Sequence, residues 1–411
     1  MSRVILHSDL NNFYASVELL SHPELVGKPV AVAGDTELRH GIVLAKNYEA
    51  KAKGVQTGEP LWQARGKCPN ITFLPPHYEL YEKYSREARR IYYDYTDMIE
   101  PFGLDECWLD VTASVGLFGD GKAIADTIRK RIREELGLTV SVGVSFNKVF
   151  AKLGSDLKKP DATTVIGESV FREKIWHLPA SELLFVGRKT NERLRQCGIR
   201  TIGDVARLEP YVLKSILGKN GVTLYNFANG RDTSPVLLIG QSPPPKSIGN
   251  GTTPPRDLVS DEDVDIVLYR LCDTVSTRMR REGVVCQTVQ LSVRYPDLHR
   301  VDRQMKPDYP NRTARSLYEC ARRLIKKHGL CREPIRSIGI RGADLLRSDC
   351  EQLSFCPDVM QIQRIEMLED TVDGLRERYG EPSIRRGIMF SDALLGSHEI
   401  SNITSLTDGS G

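Results

Sequence analysis

The order of predicted strands and helices restricts the fold of this chain more than any other feature of its sequence. Outside a segment at residues 11–76, the first 145 residues contain a strand at 3–9, a helix at 77–98, strands at 99–102 and 107–112, a helix at 121–136 and a strand at 138–145. This β–α–β–β–α–β succession is typical of ferredoxin-like α+β folds, which contain the split βαβ unit. In that topology the third strand lies antiparallel between the first two, so its beginning meets the end of the first strand.

Acidic residues occupy this predicted meeting point. Asp9 ends the first strand, and Asp105 and Glu106 open the third within the sequence PFGLDECWLDV. Neighbouring carboxylates repel one another, and burying them costs free energy unless a cation lies between them. We expect no histidine or thiolate beside them, and a purely carboxylate cluster favours Mg²⁺ or Mn²⁺, which prefer oxygen ligands. From the residues alone, an acidic turn at the sheet edge is about equally well supported.

The middle of the chain predicts an insertion and a helical segment. Residues 11–76 form a small α/β insertion with short strands in KPVAVAG and GIVLAKN. Residues 167–233 are helical, and LLFVGRKTNERLRQCGIRTIGDVARL has the pattern of a helix-hairpin-helix, whose turn at Gly187 could direct amide groups toward a phosphate. A proline-rich linker at 234–245 follows, and it cannot continue a helix.

The last third of the chain combines a basic module with an acidic tail. Residues 246–341 repeat the β–α–β–β–α–β succession, with helices near 261–282 and 311–328. Residues 244–341 contain 19 Lys and Arg against 12 Asp and Glu, whereas 342–411 contain 6 against 13. This asymmetry indicates a polyanion-binding module and a tail that stays away from the polyanion, although ordinary surface charge is nearly as compatible. The tail contains a helix near 358–379 and a polar end for which we expect disorder.

The apolar runs, the N-terminal sequence and the cysteines indicate the cellular compartment. No apolar run approaches membrane-spanning length, and the first ten residues lack the pattern of a signal peptide. The nine cysteines are dispersed without a CxxC pair, as is typical of reduced thiols. We therefore expect a cytoplasmic protein with no membrane contact.

Four segments together resemble the Y-family, or translesion, DNA polymerases, in their bacterial DinB and UmuC-like branch. They are HSDLNNFYASVE, LAKNYEAKAKGV, FGLDECWLDVT and SVGVSFNKVFAKLGSDLKKPDATTVI, in the family's order and spacing. The resemblance implies a template-directed DNA polymerase of low fidelity without a proofreading exonuclease. It also implies a palm at 1–10 and 77–166, fingers at 11–76, a thumb at 167–233 and a DNA-binding little finger at 246–341.

The resemblance assigns roles to residues of the first half. Asp9, Asp105 and Glu106 would be catalytic ligands of two Mg²⁺ ions, with Mn²⁺ as a possible substitute, and the Leu10 carbonyl would be a further ligand. Tyr14 would be the steric gate that excludes a ribose 2′-hydroxyl. The residues that would hold the dNTP triphosphate beside it are Tyr48, Lys51 and Lys159. The family often has Arg at position 51 and Ser at position 104, so Lys51 and Leu104 depart from its pattern.

The resemblance also implies a nucleoid-associated monomer that contacts primer–template DNA and a sliding clamp. Candidate DNA contacts are Gly187, Lys189, Arg278, Arg280, Arg281, Arg294, Arg300 and Arg303, which suit sequence-independent phosphate binding. In the tail, EQLSFCPD resembles a clamp-binding peptide at 352–356 through Gln352, Leu353 and Phe355, with a variant order at its end.

Two alternatives use the same pattern differently. A nucleotidyl or diguanylate cyclase has a similar sheet and two-metal chemistry but does not need a basic DNA-binding module. A catalytically inactive DNA-binding accessory protein would not need the three acids. The sequence leaves open the lesions bypassed, the base preference, the need for accessory subunits and the choice between the DinB and UmuC-like branches.

Overall fold

The computed structural model describes residues 3–36, 39, 41–241, 244–348 and 359–396. Its contacts divide the chain into two compact units, Met1–Gly34 with Ile42–Ser242, and Asp35–Gly41 with Pro243–Gly411. None of the helices in the described ranges is both long and apolar enough to cross a membrane. The cysteines within these ranges are free thiols.

The first unit contains two sheets and a group of helices. Its strands are β1 (Ile5–Leu10), β2 (Val30–Ala33), β3 (Val43–Lys46), β4 (Thr72–Leu74), β5 (Ile99–Pro101), β6 (Glu106–Asp110), β7 (Val140–Ser145) and β8 (Thr163–Ile166). Its helices are α1 (Phe13–Ser21), α2 (Tyr48–Ala52), α3 (Leu61–Lys67), α4 (Tyr78–Tyr93), α5 (Val115–Phe118), α6 (Gly121–Leu136), α7 (Lys148–Leu157), α8 (Phe171–Ile175), α9 (Arg188–Gln196), α10 (Ile202–Arg207), α11 (Pro210–Leu217) and α12 (Lys219–Ala228).

The larger sheet has the strand order β5-β6-β1-β7-β8. Strand β1 pairs antiparallel with both β6 and β7, while β8 adds in parallel beyond β7. The predicted ferredoxin-like topology is therefore confirmed, with the third strand of the pattern between the first and the second. One face is covered by α4 and α6, where the tyrosine pattern of α4 buries Tyr81 and Tyr92 in the core.

Helix α7 packs closely against the sheet. A side chain at Gly143 of β7 would collide with the Ala151 carbonyl of α7, so glycine permits this approach. The buried Asn147 begins the helix by accepting from the Phe150 amide at 2.8 Å. The close approach fixes the next two turns of α7 beside β1.

The smaller sheet of the first unit has the order β3-β2-β4. The sequence pattern correctly predicts β2 and β3 but not β4 or α3. Strand β4 has only three residues, all partly exposed, so it lacks a buried alternating pattern.

The linker lies against the first unit. Val236 is 1% exposed and packs with Ile5 and Trp108. The Leu237 amide donates to Glu100 at 3.1 Å, and the Ile239 amide donates to the Asp97 carbonyl at 3.0 Å. As predicted it is not helical, and backbone hydrogen bonds attach its first half to the β5 edge of the sheet.

The second unit repeats the order of elements but not the strand order. It contains β9 (Ser247–Thr252), α13 (Asp261–Arg281), β10 (Val284–Arg294), β11 (Arg300–Met305), α14 (Ala314–His328), β12 (Ser337–Arg347) and α15 (Val359–Tyr379). The predicted β–α–β–β–α–β succession is confirmed. Its sheet runs β11-β10-β12-β9, so the fourth strand, and not the third, lies between the first and second.

Helix α15 places the acidic tail against arginines of the basic module, an arrangement that the sequence analysis did not predict. Glu369 is 8% exposed and lies 2.5 Å from Arg280, whose side chain is 7% exposed and also pairs with Asp373 at 2.6 Å. Arg281 pairs with Glu377 at 3.1 Å. Part of the module's positive charge is therefore neutralised within this unit.

Replacing Glu369 by alanine should lower the free energy of unfolding by about 3 kcal/mol, because the buried Arg280 loses one of its two close carboxylate partners. The variant also removes a carboxylate that accepts from Ser276 at 3.0 Å and from the Ala314 amide at 3.1 Å. Urea denaturation of the full chain measures the change. Asp370→Ala is the control, since Asp370 is 54% exposed and lies 3.6 Å from Arg280; we expect about 1 kcal/mol or less. Equal losses in the two variants would contradict the assignment.

Candidate active site

The ends of two neighbouring strands bring the acidic residues to one edge of the larger sheet. In the antiparallel register of β1 and β6, Asp9 lies opposite Glu106. The Leu10 amide donates to the Asp105 carbonyl at 3.0 Å, which places Asp105 beside the end of β1. Asp9 itself is 6% exposed. The predicted meeting of the three acids is confirmed, with Asp9 buried and Asp105 and Glu106 partly buried.

A tight turn before β6 sets the position of Asp105. Gly103 has a φ of +92°, in the left-handed region that favours glycine. Helix α4 holds the turn through backbone carbonyls, because the Ser85 hydroxyl donates to Leu104 at 2.5 Å and Arg89 donates to Gly103 at 2.8 Å. Since position 104 contributes its carbonyl, leucine can replace the family's usual serine without loss of this contact.

Two lysines of the α7 region neutralise two of the acids. Lys159 lies 2.7 Å from Asp9, and Lys152 lies 2.5 Å from Glu106. Both lysines also approach Asp156, at 2.9 Å and 3.8 Å respectively. The family resemblance assigns a role to Lys159 but not to Lys152, which lies one helical turn before Asp156 on α7.

The expectation that no histidine lies near the acids is wrong. His7 is completely buried, with Nε2 3.2 Å from Glu106 and Nδ1 2.8 Å from the Ser155 hydroxyl of α7. His7 and Asp9 are two residues apart on β1, and alternate residues of a strand share one face. The spacing of His7 and Asp9 in the sequence HSD could therefore have predicted that His7 lies beside the acids.

The three carboxyl groups differ in their electrostatic environments. Burial, followed by the negative charges of Glu106 and Asp9, raises the pKa of Asp105 to about 6. Burial also raises the pKa of Asp9, and the Lys159 charge offsets this only in part. For Glu106 burial acts in the same direction, but the contacts with His7 and Lys152 outweigh it and lower the pKa to about 2. Asp105 is thus the acid with the least charge compensation.

The donor set fits a hard divalent cation, although the side chains are not gathered around one point. No group of three or more His, Cys, Asp or Glu within the described residues is arranged as a ready-made metal site. Lys159 and Lys152 hold two of the carboxylates instead. Asp105 has no ion-pair partner in the described part of the chain, and a cation would stabilise its buried charge.

Tyr14 lies close to the acids on helix α1. Its ring stacks on Tyr81 at a centroid distance of 4.1 Å with 9° between planes, and it meets Tyr78 edge-on at 6.1 Å. Burial, and then the negative charge of Asp105, raises the pKa of Tyr14 to about 12. The phenol is therefore held rigidly, in its neutral form, beside one of the acids.

Tyr48 lies just after β3 of the smaller sheet and close to Asp9. It begins α2 after Asn47, which accepts from the Ala50 amide at 3.1 Å. Burial raises the pKa of Tyr48, with the nearby Lys159 opposing and Asp9 adding to the shift. Lys51 lies on the same short helix with its Nζ 5.7 Å from the Tyr48 ring centre. Tyr48 and Lys159 thus lie near the Asp9 carboxylate, and Lys51 lies beside the Tyr48 ring.

Candidate DNA contacts occur in both units. In the first, Gly187 directly precedes α9 and Lys189 is exposed in its first turn. In the second, Arg294, Arg300 and Arg303 are exposed on the β10–β11 pair.

Three further arginines have partners within the second unit. Arg278 donates to the Gly249 carbonyl at 2.9 Å, whereas Arg280 and Arg281 pair with α15 as described above. The proposed clamp peptide with Gln352, Leu353 and Phe355 lies outside the described residues.

Comparison with known families covers most of the chain. Residues 8–156 match the impB/mucB/samB family, and residues 245–355 match the C-terminal domain of that family. Residues 182–232 match the DNA polymerase-iota thumb domain.

Full-length relatives give the same result. The chain is 52% identical to DNA polymerase IV of Acetivibrio thermocellus over 95% of its own length and 98% of the relative's. It is 38% identical to DNA polymerase IV of Pelotomaculum thermopropionicum, over 95% and 96% of the two lengths. A solved Y-family DNA polymerase chimera, 25% identical, superposes with a TM-score of 0.73 over 84% of this chain and 99% of the other. The chain therefore belongs to the DNA polymerase IV branch of the Y-family translesion DNA polymerases.

Proposed function

We propose that this polymerase adds deoxynucleotides to a primer 3′ end at the edge formed by Asp9, Asp105 and Glu106. The observation that carries the proposal is the β1–β6 register, which opposes Asp9 and Glu106 while Asp105 is fixed beside Leu10. Phosphoryl transfer depends mainly on positioning and on stabilising negative charge. A buried row of carboxylates bordered by lysines can supply both once cations are present.

Asp9, Asp105 and Glu106, with the Leu10 carbonyl, are the groups that would hold two Mg²⁺ ions, or Mn²⁺ in their place. Such ions, if bound by these groups, would supply acidification of the primer hydroxyl and compensation of the negative charge of the triphosphate and pyrophosphate. Lys159 and Lys152 lie beside two of these acids, and their flexible side chains would allow each ammonium group to contact a phosphate oxygen of the substrate instead.

The substrate side of the site is assigned to Tyr14, Tyr48, Lys51 and Lys159. Tyr48 donates a hydrogen bond and the lysines supply positive charge to the triphosphate. Lysine interacts as a compact charge, so Lys51 lacks the bidentate phosphate contact of an arginine. The Tyr14 ring occupies the space that a ribose 2′-hydroxyl would need.

The proposed activity is tested by primer extension with the purified chain on undamaged and lesion-containing templates. We expect extension with Mg²⁺ or Mn²⁺, frequent misinsertion, bypass of at least some lesions, and no shortening of a mismatched primer. Extension that persists in excess chelator, or removal of a mismatched primer end, would contradict the proposal.

Clamp binding by the tail makes a separate prediction. Deleting residues 352–355 should remove most of the stimulation of synthesis by a sliding clamp, because tethering raises the effective concentration of the enzyme at the primer end. Synthesis without the clamp should remain unchanged. The measurement is processive extension with and without a loaded clamp. Deletion of residues 408–411 is the control, and equal loss of basal and stimulated synthesis would argue against tethering.

A further inference from the structure

The loop between α7 and β8 contains a strained residue. Asp161 has a φ of +49°, a left-handed conformation that costs free energy for residues other than glycine, although less for aspartate than for most. Such strain persists only where surrounding contacts fix the backbone, and it is often found beside functional groups. Lys159, which contacts Asp9, is two residues earlier in the same loop.

Two arginines of helix α6 hold Asp161 from one side. Arg129 lies 3.0 Å from one Asp161 carboxylate oxygen and also donates to the Asp161 backbone carbonyl. Arg133 donates to the other carboxylate oxygen at 2.8 Å. Arg129 is itself oriented by Asp126 at 3.1 Å and by the Thr163 hydroxyl at 3.3 Å. Both carboxylate oxygens of Asp161 are thus bound by arginines on one face of α6.

A buried amide holds the same residue from the side of the acids. Asn11 is 2% exposed, and its side-chain oxygen accepts from the Asp161 amide at 2.9 Å. Its nitrogen donates to the Ser141 hydroxyl at 2.9 Å. Asn11 follows β1 directly, only two residues after Asp9. The backbone on either side of the Asp161 Cα is therefore tied both to α6 and to the strand end that carries Asp9.

We infer that Asp161, Arg129 and Arg133 form a latch that positions Lys159 for the dNTP triphosphate. None of the three touches the reacting atoms in this arrangement, so they are positioning residues for the known reaction. The latch restricts the loop so that the Lys159 ammonium lies beside Asp9 before the nucleotide arrives. The inference rests on the proposed contact between Lys159 and the triphosphate.

The test is single-nucleotide insertion kinetics, with primer–template affinity and the thermal midpoint measured for the same variants. Arg129→Met and Asp161→Ala should each raise KM for the dNTP by about tenfold, the lower end of the losses found when residues that orient metal ligands are mutated. The Kd for primer–template should stay unchanged. Asp161→Gly should raise KM less than Asp161→Ala, because glycine adopts the left-handed conformation without the latch.

Arg131→Met is the matched control on the same helix. Arg131 pairs with Asp94 at 2.7 Å and Glu135 at 2.6 Å and does not contact the loop. It should lower the thermal midpoint about as much as Arg129→Met while leaving KM unchanged. An equal rise of KM in Arg131→Met would refute the latch. So would an unchanged KM in Arg129→Met and Asp161→Ala together with a raised KM in Lys159→Met. If Lys159→Met itself leaves KM unchanged, both the proposed triphosphate contact and the latch fail.

Discussion

Primer extension should fall by about a thousandfold or more when Asp105 and Glu106 are both replaced by alanine, because several kcal/mol of transition-state stabilisation by bound metal would be lost. Primer–template affinity should change by less than about threefold, since phosphate contacts supply most of it. Extension assays and fluorescence anisotropy with a labelled primer–template measure the two quantities. Extension that survives in the double variant would refute the assignment of the active site.

The single variants should separate the two acids. Glu106→Ala removes the carboxylate closest to His7 and Lys152, so it should lower both activity and stability. Asp105→Ala removes the acid whose burial and acidic neighbours raise its pKa to about 6. That variant should lose activity while keeping or gaining thermal stability, because a poorly compensated buried charge is removed.

Asp110→Ala provides a control at the other end of the same strand. Asp110 accepts from the Thr112 amide at 3.0 Å and lies 3.8 Å from Arg3, far along β6 from the acidic edge. This variant should reduce stability without a comparable loss of extension. A thousandfold loss here as well would show that damage to β6 in general, and not removal of metal ligands, explains the double variant.

The acidic edge could be predicted because it follows from topology. Once β1, β5 and β6 are recognised as strands, the split βαβ order places Asp9 beside the start of β6 without further information. The position of His7 also follows from alternation along β1, but the contacts of the two lysines depend on packing. Lys152 reaches Glu106 only because Gly143 lets α7 approach the sheet closely, a distance that no sequence pattern reports.

The acidic tail shows a different limit of sequence analysis. Counting charges predicted a basic module and an acidic segment, but a count cannot tell whether opposite charges meet in the folded chain. Glu369 and Arg280 do meet, in a buried pair that attaches α15 to α13, and Glu369 also accepts from the Ala314 amide at the start of α14. The same count could not reveal that the second unit places its fourth strand centrally, since β–α–β–β–α–β is compatible with more than one strand order.

Replacing Tyr14 by alanine is expected to reduce discrimination against ribonucleotides by about a hundredfold, the factor that a steric penalty near 3 kcal/mol represents. The ring is suited to impose such a penalty because its stacking on Tyr81 and its edge contact with Tyr78 leave it little freedom to retreat. The measurement is the ratio of kcat/KM for dCTP and CTP opposite a template guanine.

Two comparison variants distinguish steric exclusion by Tyr14 from a general loss of packing among Tyr14, Tyr78 and Tyr81. Tyr14→Phe keeps the ring, so it should retain most of the sugar discrimination even though the hydroxyl is lost. Tyr78→Ala removes an edge contact of Tyr14 and tests whether loosening the ring alone is sufficient; we expect a smaller effect than that of Tyr14→Ala. Because a gate acts by occupying the position of the 2′-hydroxyl, ribonucleotide insertion should rise in Tyr14→Ala while dCTP insertion falls or stays constant. An unchanged ratio in Tyr14→Ala would assign the ring to core packing alone.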